Sequence, residues 1–151
     1  MSDCIPIHSG QIWGEELPLI PEKLYDLGYV DFYTRMMMGK SPKLVIRFKI
    51  LELGEHFGVV LSKYYGVNRL IGKPKKSGKY EVGRGSNFVR DFLTLFPDQP
   101  VKRFDQIPMS RFHGVIIKGT VRTVAKGYNQ RLIPKPLQYS IIGDLLKIKT
   151  L

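Results

Sequence analysis

The sequence has 151 residues, the length of a single domain, and its 43% apolar and 25% charged residues are ordinary for a globular protein. One cysteine, Cys4, excludes a disulfide within the chain, and the histidines His8, His56 and His113 lie too far apart for metal-ligand spacing. The net charge of +11 points to polyanionic partners, and it lies in the last two-thirds of the chain, because residues 1–42 hold three basic and six acidic side chains.

The chain begins with a segment that is interrupted too often to form a long regular element. Residues 1–22 contain three prolines and two glycines, which predicts an extended arm. Its apolar anchors are Ile12, Trp13, Leu17 and Ile20. Residues 23–151 are predicted to form a single β-rich domain. Aromatic residues favour a strand over residues 23–38, although residues 32–38 also fit a helix.

A β-hairpin is predicted next. Leu44, Ile46, Phe48 and Ile50 alternate with polar residues, which predicts a half-buried strand whose outer face carries Lys43, Arg47 and Lys49. A turn at Gly54 leads to the partner strand at residues 57–65. Residues 66–85 are basic and rich in glycine, and they predict a loop or a β-ribbon.

The second half is predicted to contain two short helices and another hairpin. Ser86 is the predicted N-cap of a helix that Pro97 ends, with Phe88, Val89, Phe92, Leu93 and Phe96 on its buried side. Residues 112–124 predict a strand, residues 125–130 a hairpin tip, and residues 131–136 the returning chain. Residues 139–148 predict a closing helix that packs Ile141, Ile142, Leu145 and Leu146.

This order of elements predicts a mainly β (α+β) fold. A small antiparallel β-barrel of the oligonucleotide-binding (OB) type, with one or two short helices, accounts for it economically, because that fold has a helix between its third and fourth strands. Other small β-barrels and α+β sheets fit almost as well, and they stay open at this point.

No constellation of residues predicts catalysis. Asp91, Asp98 and Asp105 surround the predicted helix but lack the acid–lysine pair typical of metal-dependent nucleases. Residues 83–86 could approach a phosphate, but their spacing does not match a nucleotide-hydrolysing loop, and a plain turn with an N-cap explains them more simply. We therefore predict no enzyme, no catalytic residue, no cofactor and no metal.

The predicted location is the cytoplasm. The first residues lack the basic start and apolar core of a signal peptide, and no segment approaches the roughly 20 apolar residues that span a bilayer. A single cysteine agrees with a reducing compartment.

Basic residues interleaved with aromatic ones form the strongest functional pattern, in residues 63–84 and 118–131. Proteins hold single-stranded nucleic acid with Lys and Arg on its phosphates and with aromatic rings stacked on its bases. In an OB barrel these two segments could occupy the loops that flank the binding face, one after the first strand and one between the last two strands. The predicted binding residues are Arg47, Lys49, Lys63, Tyr64, Tyr65, Arg69, Lys73, Lys75, Lys76, Lys79, Arg84, Lys118, Arg122, Lys126, Tyr128 and Arg131.

Four short segments carry a resemblance: KLVIRF at 43–48, GVVL at 58–61, VRTV at 121–124 and LQYSII at 137–142. In them the chain resembles small proteins encoded by prophages and integrative elements, and loosely resembles phage OB-type single-stranded-DNA-binding proteins. The resemblance implies nucleic-acid binding and mobile-element biology.

We therefore expect a non-catalytic nucleic-acid-binding protein that prefers single-stranded DNA, with RNA or duplex as open alternatives and no membrane partner. It could form a homo-oligomer. The alternative function is that of an interaction protein, such as an anti-defence inhibitor, which binds a host protein or nucleoprotein complex.

Overall fold

This computed structural model describes residues 17–126 and 131–149, which contain seven β-strands, one α-helix and two short 3-10 helices. The elements are β1 (Leu24–Met37), β2 (Ser41–Ile50), β3 (Val60–Gly66), β4 (Arg69–Ile71), β5 (Lys79–Glu81), α1 (Asn87–Leu95), β6 (Ile116–Val124) and β7 (Tyr139–Ile148). The predicted mainly β fold is confirmed.

Five strands form one antiparallel sheet in the order β3-β2-β1-β6-β7, and β4 pairs with β5 in a separate ribbon. The two edge strands of the sheet, β3 and β7, approach each other. The Lys63 amine on β3 donates a hydrogen bond to the Gly143 carbonyl on β7. The described strands do not form a closed barrel. The strongly curved sheet wraps around a core that α1 covers, packed against both β3 and β7.

The long strand β1 changes the direction of its side chains halfway. Its pairing with β2 shifts by one residue between Tyr29 and Asp31, which is a β-bulge. Before the bulge Tyr25 faces the core, and after it Phe32 does so instead. Residues 32–38 therefore do not form the alternative helix, because the described chain continues as a strand to Met37.

The predicted hairpin of β2 and β3 is confirmed, with Lys49 opposite Val60 and Lys43 opposite Gly66. The four alternating apolar residues of β2, Leu44, Ile46, Phe48 and Ile50, are completely buried in the core. Burial of such a side chain stabilises a fold by about 1.5–3 kcal/mol. Because every second residue of β2 must therefore be apolar, the strand could be recognised from its alternating sequence.

The predicted helix is also confirmed. The Ser86 hydroxyl accepts a hydrogen bond from the Val89 amide at 3.2 Å, so Ser86 is the N-cap. Leu93, which was predicted on the buried side, is exposed, and Leu95 is buried in its place. At nine residues α1 is far shorter than a membrane-spanning helix, and the described part of the chain contains no helix that could span a membrane.

The predicted closing helix at residues 139–148 is wrong, since these residues form strand β7. Ile142 faces the core, whereas its neighbour Ile141 lies opposite Arg122 and outside the core cluster, although it is also buried. A helix could cover only one side with these residues, and it would leave the backbone groups along one edge of β6 without partners. Two adjacent β-branched residues also favour a strand.

The end of the predicted arm packs against the start of β7. The Ser140 hydroxyl accepts a hydrogen bond from the Ile20 amide at 2.8 Å, and the Ile20 side chain is buried in the core. The predicted anchors Ile12 and Trp13 lie outside the described residues, as does most of the predicted hairpin tip, residues 127–130. The strand predicted at residues 112–124 begins only at Ile116, after a short 3-10 helix.

A buried carboxylate connects three strands of the sheet. Asp26 on β1 lies 2.5 Å from the Lys118 amine on β6 and 2.7 Å from the Lys149 amine beyond the end of β7. Hydrogen bonds from Lys118 and then Lys149 hold the pKa of Asp26 below its ordinary value, against the opposing effect of burial. We call this group the Asp26 triad.

The ribbon is attached to β1 beyond the bulge, where β6 no longer pairs with β1. The Thr34 amide donates to the Lys75 carbonyl at 3.0 Å, and the Ser77 amide donates to the Phe32 carbonyl at the same distance. The Lys75 amide in turn donates to the Thr34 hydroxyl at 3.1 Å. The connection between β4 and β5 is thus fixed to the sheet through its backbone.

Candidate nucleic-acid interface

Two tyrosines share one row across the outer face of the sheet, which is the face opposite the core. Register places Tyr33 on β1, Val45 on β2 and Tyr64 on β3 opposite one another, so their side chains point to the same side. Val45 is outside the core cluster and yet 0% exposed, which shows that larger groups surround it. Both tyrosines are half-buried. We call these three residues the tyrosine row.

The next row toward the β1–β2 turn carries two basic residues on neighbouring strands. Arg35 on β1 lies directly opposite Lys43 on β2, and like charges in this arrangement repel each other. Within the described residues, neither side chain forms an ion pair with an acidic group. We call them the cation pair. An anion bound between them would relieve their repulsion.

The row on the other side of the tyrosines contains a matched ion pair. The Arg47 guanidinium donates two hydrogen bonds to Asp31, at 2.6 and 2.5 Å. These bonds hold the pKa of Asp31 below its ordinary value. The Lys76 amine, from the ribbon, lies 3.8 Å from the same carboxylate. The negative charge of Asp31 is therefore balanced by Arg47, and with Lys76 this part of the face remains positive overall.

The three predicted residues of β3 have different surroundings. Tyr65 is 2% exposed and donates a hydrogen bond to Asp91 of α1 at 2.7 Å, so its ring is not accessible for stacking. Burial raises the pKa of Tyr65 far above its ordinary value and lowers that of Lys63, whose amine is bound to Gly143. Of these three, Tyr64 alone lies in the tyrosine row.

The predicted ribbon residues do not follow the first strand, as the OB analogy suggested, but connect the third strand to α1. Arg69 is paired with Glu81 at 3.0 Å. Lys73, Lys75 and Lys79 are exposed and have no acidic partner among the described residues. Because the ribbon is fixed to β1, it brings Lys76 next to Tyr33.

The remaining predicted residues are dispersed. Lys118 belongs to the Asp26 triad, and Arg84 lies over the Phe104 ring at 5.8 Å, before α1. Arg122, Lys126 and Arg131 are exposed and lie on or beyond β6. Lys49 is exposed as well, but it lies on the outer face of β2, two residues after Arg47. Tyr128 lies outside the described residues.

The structure thus brings together Arg47, Lys49, Tyr64 and Lys76 from the predicted set. It adds Tyr33, Arg35 and Lys43, which the predicted set of binding residues omitted. Lys43 was already placed on the outer face of its strand by the alternation of β2. Tyr33 and Arg35 could not be assigned to the outer face from the sequence, because the bulge interrupts the alternation of β1 just before Asp31.

Among the residues that the structure describes, no three His, Cys, Asp or Glu side chains come together as metal ligands. No protein-family model, curated protein or solved structure matches the chain.

Proposed function

We propose that this protein is a non-catalytic nucleic-acid-binding protein that holds single-stranded DNA on the outer face of β1, β2 and β3. One observation carries the proposal: the tyrosine row lies between the cation pair and Arg47, on one continuous sheet surface. Positive groups beside aromatic rings are the combination that single strands require, because phosphates and bases must be contacted together.

The topology supports this assignment. In an OB barrel the binding face includes the second and third strands, and a helix lies between the third and fourth strands. Here β2 and β3 carry much of the candidate face, and α1 falls between β3 and β6, the third and fourth strands of the main sheet. We propose that the sheet is a partly open OB-type barrel, in which the contact between Lys63 and Gly143 marks the line where β3 and β7 meet.

The proposal is tested by fluorescence anisotropy with a labelled oligothymidine of about 12 nucleotides, a duplex and an RNA of the same length. We expect the single-stranded DNA to bind most tightly and to lose affinity steeply between about 50 and 300 mM salt, because bound phosphates release counterions. Absence of binding at low salt, or affinity that does not change with salt, would contradict the proposal. Tighter binding of duplex would instead favour the ribbon as the contact.

Removal of a ring from the tyrosine row should affect affinity without affecting its salt dependence. Tyr64→Ala is expected to lower the affinity by about 1–3 kcal/mol while the salt slope stays constant, because the ring stacks on a base and contacts no phosphate. Phe57→Ala is the control, since Phe57 is an exposed aromatic residue on the connection between β2 and β3. Equal losses in the two variants would count against a specific role for the row.

A further inference from the structure

The turn between β1 and β2 has a conformation that its sequence does not favour. The Lys40 amide donates to the Met37 carbonyl at 3.1 Å, and the two central residues, Met38 and Gly39, have φ angles of 55° and 73°. A four-residue turn with both central φ angles positive is of type I′. Asn, Asp and Gly are the usual residues at its first central position, which Met38 occupies here.

Met38 is also exposed where an apolar side chain gains nothing for the fold. Its exposed fraction is 65%, and Met36, near the end of β1, is 36% exposed. A side chain other than Gly, Asn or Asp in the left-handed region costs about 1–2 kcal/mol. Backbone strain of this kind concentrates at functional sites, which makes Met38 a candidate for ligand contact.

The charges around this turn identify a ligand class. Lys40 lies in the turn itself, and the cation pair of Arg35 and Lys43 lies at its base. None of the three has an acidic partner among the described residues. An apolar turn residue with three cations within five residues of it along the chain matches a polyanion that also offers apolar surfaces. Nucleic acid is such a ligand, because its bases lie beside its phosphates.

We propose that Met38 is an apolar wedge that inserts between two bases of the bound nucleic acid while the surrounding cations contact the adjacent phosphates. This inference rests on the proposed function and extends it. The turn joins β1 to β2, which carry two members of the tyrosine row, and Met38 follows Tyr33 by five residues, about 17 Å at the spacing of a strand. A single nucleic-acid strand bound at the tyrosine row could therefore reach the turn within a few nucleotides.

The decisive variant is Met38→Asn, which places a residue suited to the turn at the position of the wedge. We expect its midpoint of thermal unfolding to rise by about 3 °C, because the strain is relieved. We expect its affinity for single-stranded DNA to fall by about fivefold or more, because one base loses its apolar contact. Lower stability thus cannot explain weaker binding.

A base analogue reports on the insertion directly. An oligonucleotide that contains 2-aminopurine brightens when that base is unstacked, so the wild type should increase its emission and Met38→Asn should increase it much less. Leu53→Asn is the matched control, because Leu53 is 91% exposed on the connection between β2 and β3. It should change neither the affinity nor the emission.

The outcomes separate the wedge from the binding function. If the wild type binds and Met38→Asn binds equally well, the wedge is wrong and the proposed function stands. If the wild type binds no oligonucleotide, both are wrong. Vesicles of phosphatidylserine and phosphatidylcholine test the other apolar anionic ligand. Vesicle binding that depends on Met38, together with unchanged oligonucleotide affinity, would overturn the wedge in favour of a membrane contact.

Discussion

The Lys43→Glu variant is expected to bind single-stranded DNA about tenfold more weakly than the wild type at low salt, which corresponds to about 1.4 kcal/mol. The same variant should unfold at a higher temperature. Arg35 and Lys43 repel each other across β1 and β2, and Glu at position 43 turns this repulsion into attraction, worth about 0.2–1 kcal/mol. Opposite effects on stability and on binding are expected where a fold tolerates repulsion in order to bind an anion.

The salt dependence shows whether a phosphate contact is lost. Each phosphate contact on a single strand contributes about 0.7 to the slope of log affinity against log salt concentration, so the slope of Lys43→Glu should fall by about that amount. Lys102→Glu is the control, because it makes the same change in net charge at an exposed site on the connection after α1. Equal losses of affinity in the two variants would mean that total charge, and not the cation pair, governs binding.

The Asp26→Asn variant is expected to lose about 2 kcal/mol of folding stability at neutral pH. The amide cannot balance the charges of Lys118 and Lys149, which the fold holds within 2.5 and 2.7 Å of the carboxylate. Removal of one partner from a fully buried pair costs about 3–5 kcal/mol. The smaller expected value reflects the two lysines, which are partly exposed and therefore screened by solvent.

The dependence on pH gives this prediction a sign. The pKa of Asp26 is lower in the folded protein than in the unfolded chain, so its contribution is complete above the unfolded value and disappears as pH falls through the folded value. The difference in unfolding free energy between wild type and Asp26→Asn should therefore persist from about pH 8 to about pH 5, begin to shrink near about pH 4, and disappear below the folded pKa of Asp26. Asp98→Asn, at an exposed pair with Arg111, should cost far less. Equal unfolding free energies for the two variants would refute the role of the triad.

The parts of the fold that were predicted correctly are those in which one residue pattern had one explanation. The alternation from Leu44 to Ile50 fits a strand with one face in the core, and Ser86 and Pro97 mark the two ends of α1. Residues 139–148 failed because the adjacent pair Ile141 and Ile142 fits either a helix or a strand with both faces covered. These residues form a strand because β6 needs a partner along one edge, and β7 supplies it. The sequence alone does not show that β6 needs this partner.

The candidate site was predictable only in part, for a similar reason. Adjacent side chains on a strand point to opposite faces, so Tyr64 and Tyr65 cannot both face outward. The sequence does not tell which of the two enters the core. Tyr33 and Arg35 were missed because the bulge before Asp31 reverses which positions of β1 point outward. The charge totals located basic residues but not their partners, and Arg47 and Lys118 prove to be bound to carboxylates.

The attachment of the ribbon to β1 also affects how this protein meets other copies of itself. Beyond the bulge, β1 would otherwise present free amide and carbonyl groups along one edge, and such an edge pairs readily with strands of neighbouring molecules. The backbone of Lys75 and Ser77 occupies this edge, and the exposed lysines around it add charge repulsion. We therefore expect the basic ribbon to oppose aggregation through this part of the sheet, whatever ligand its lysines contact.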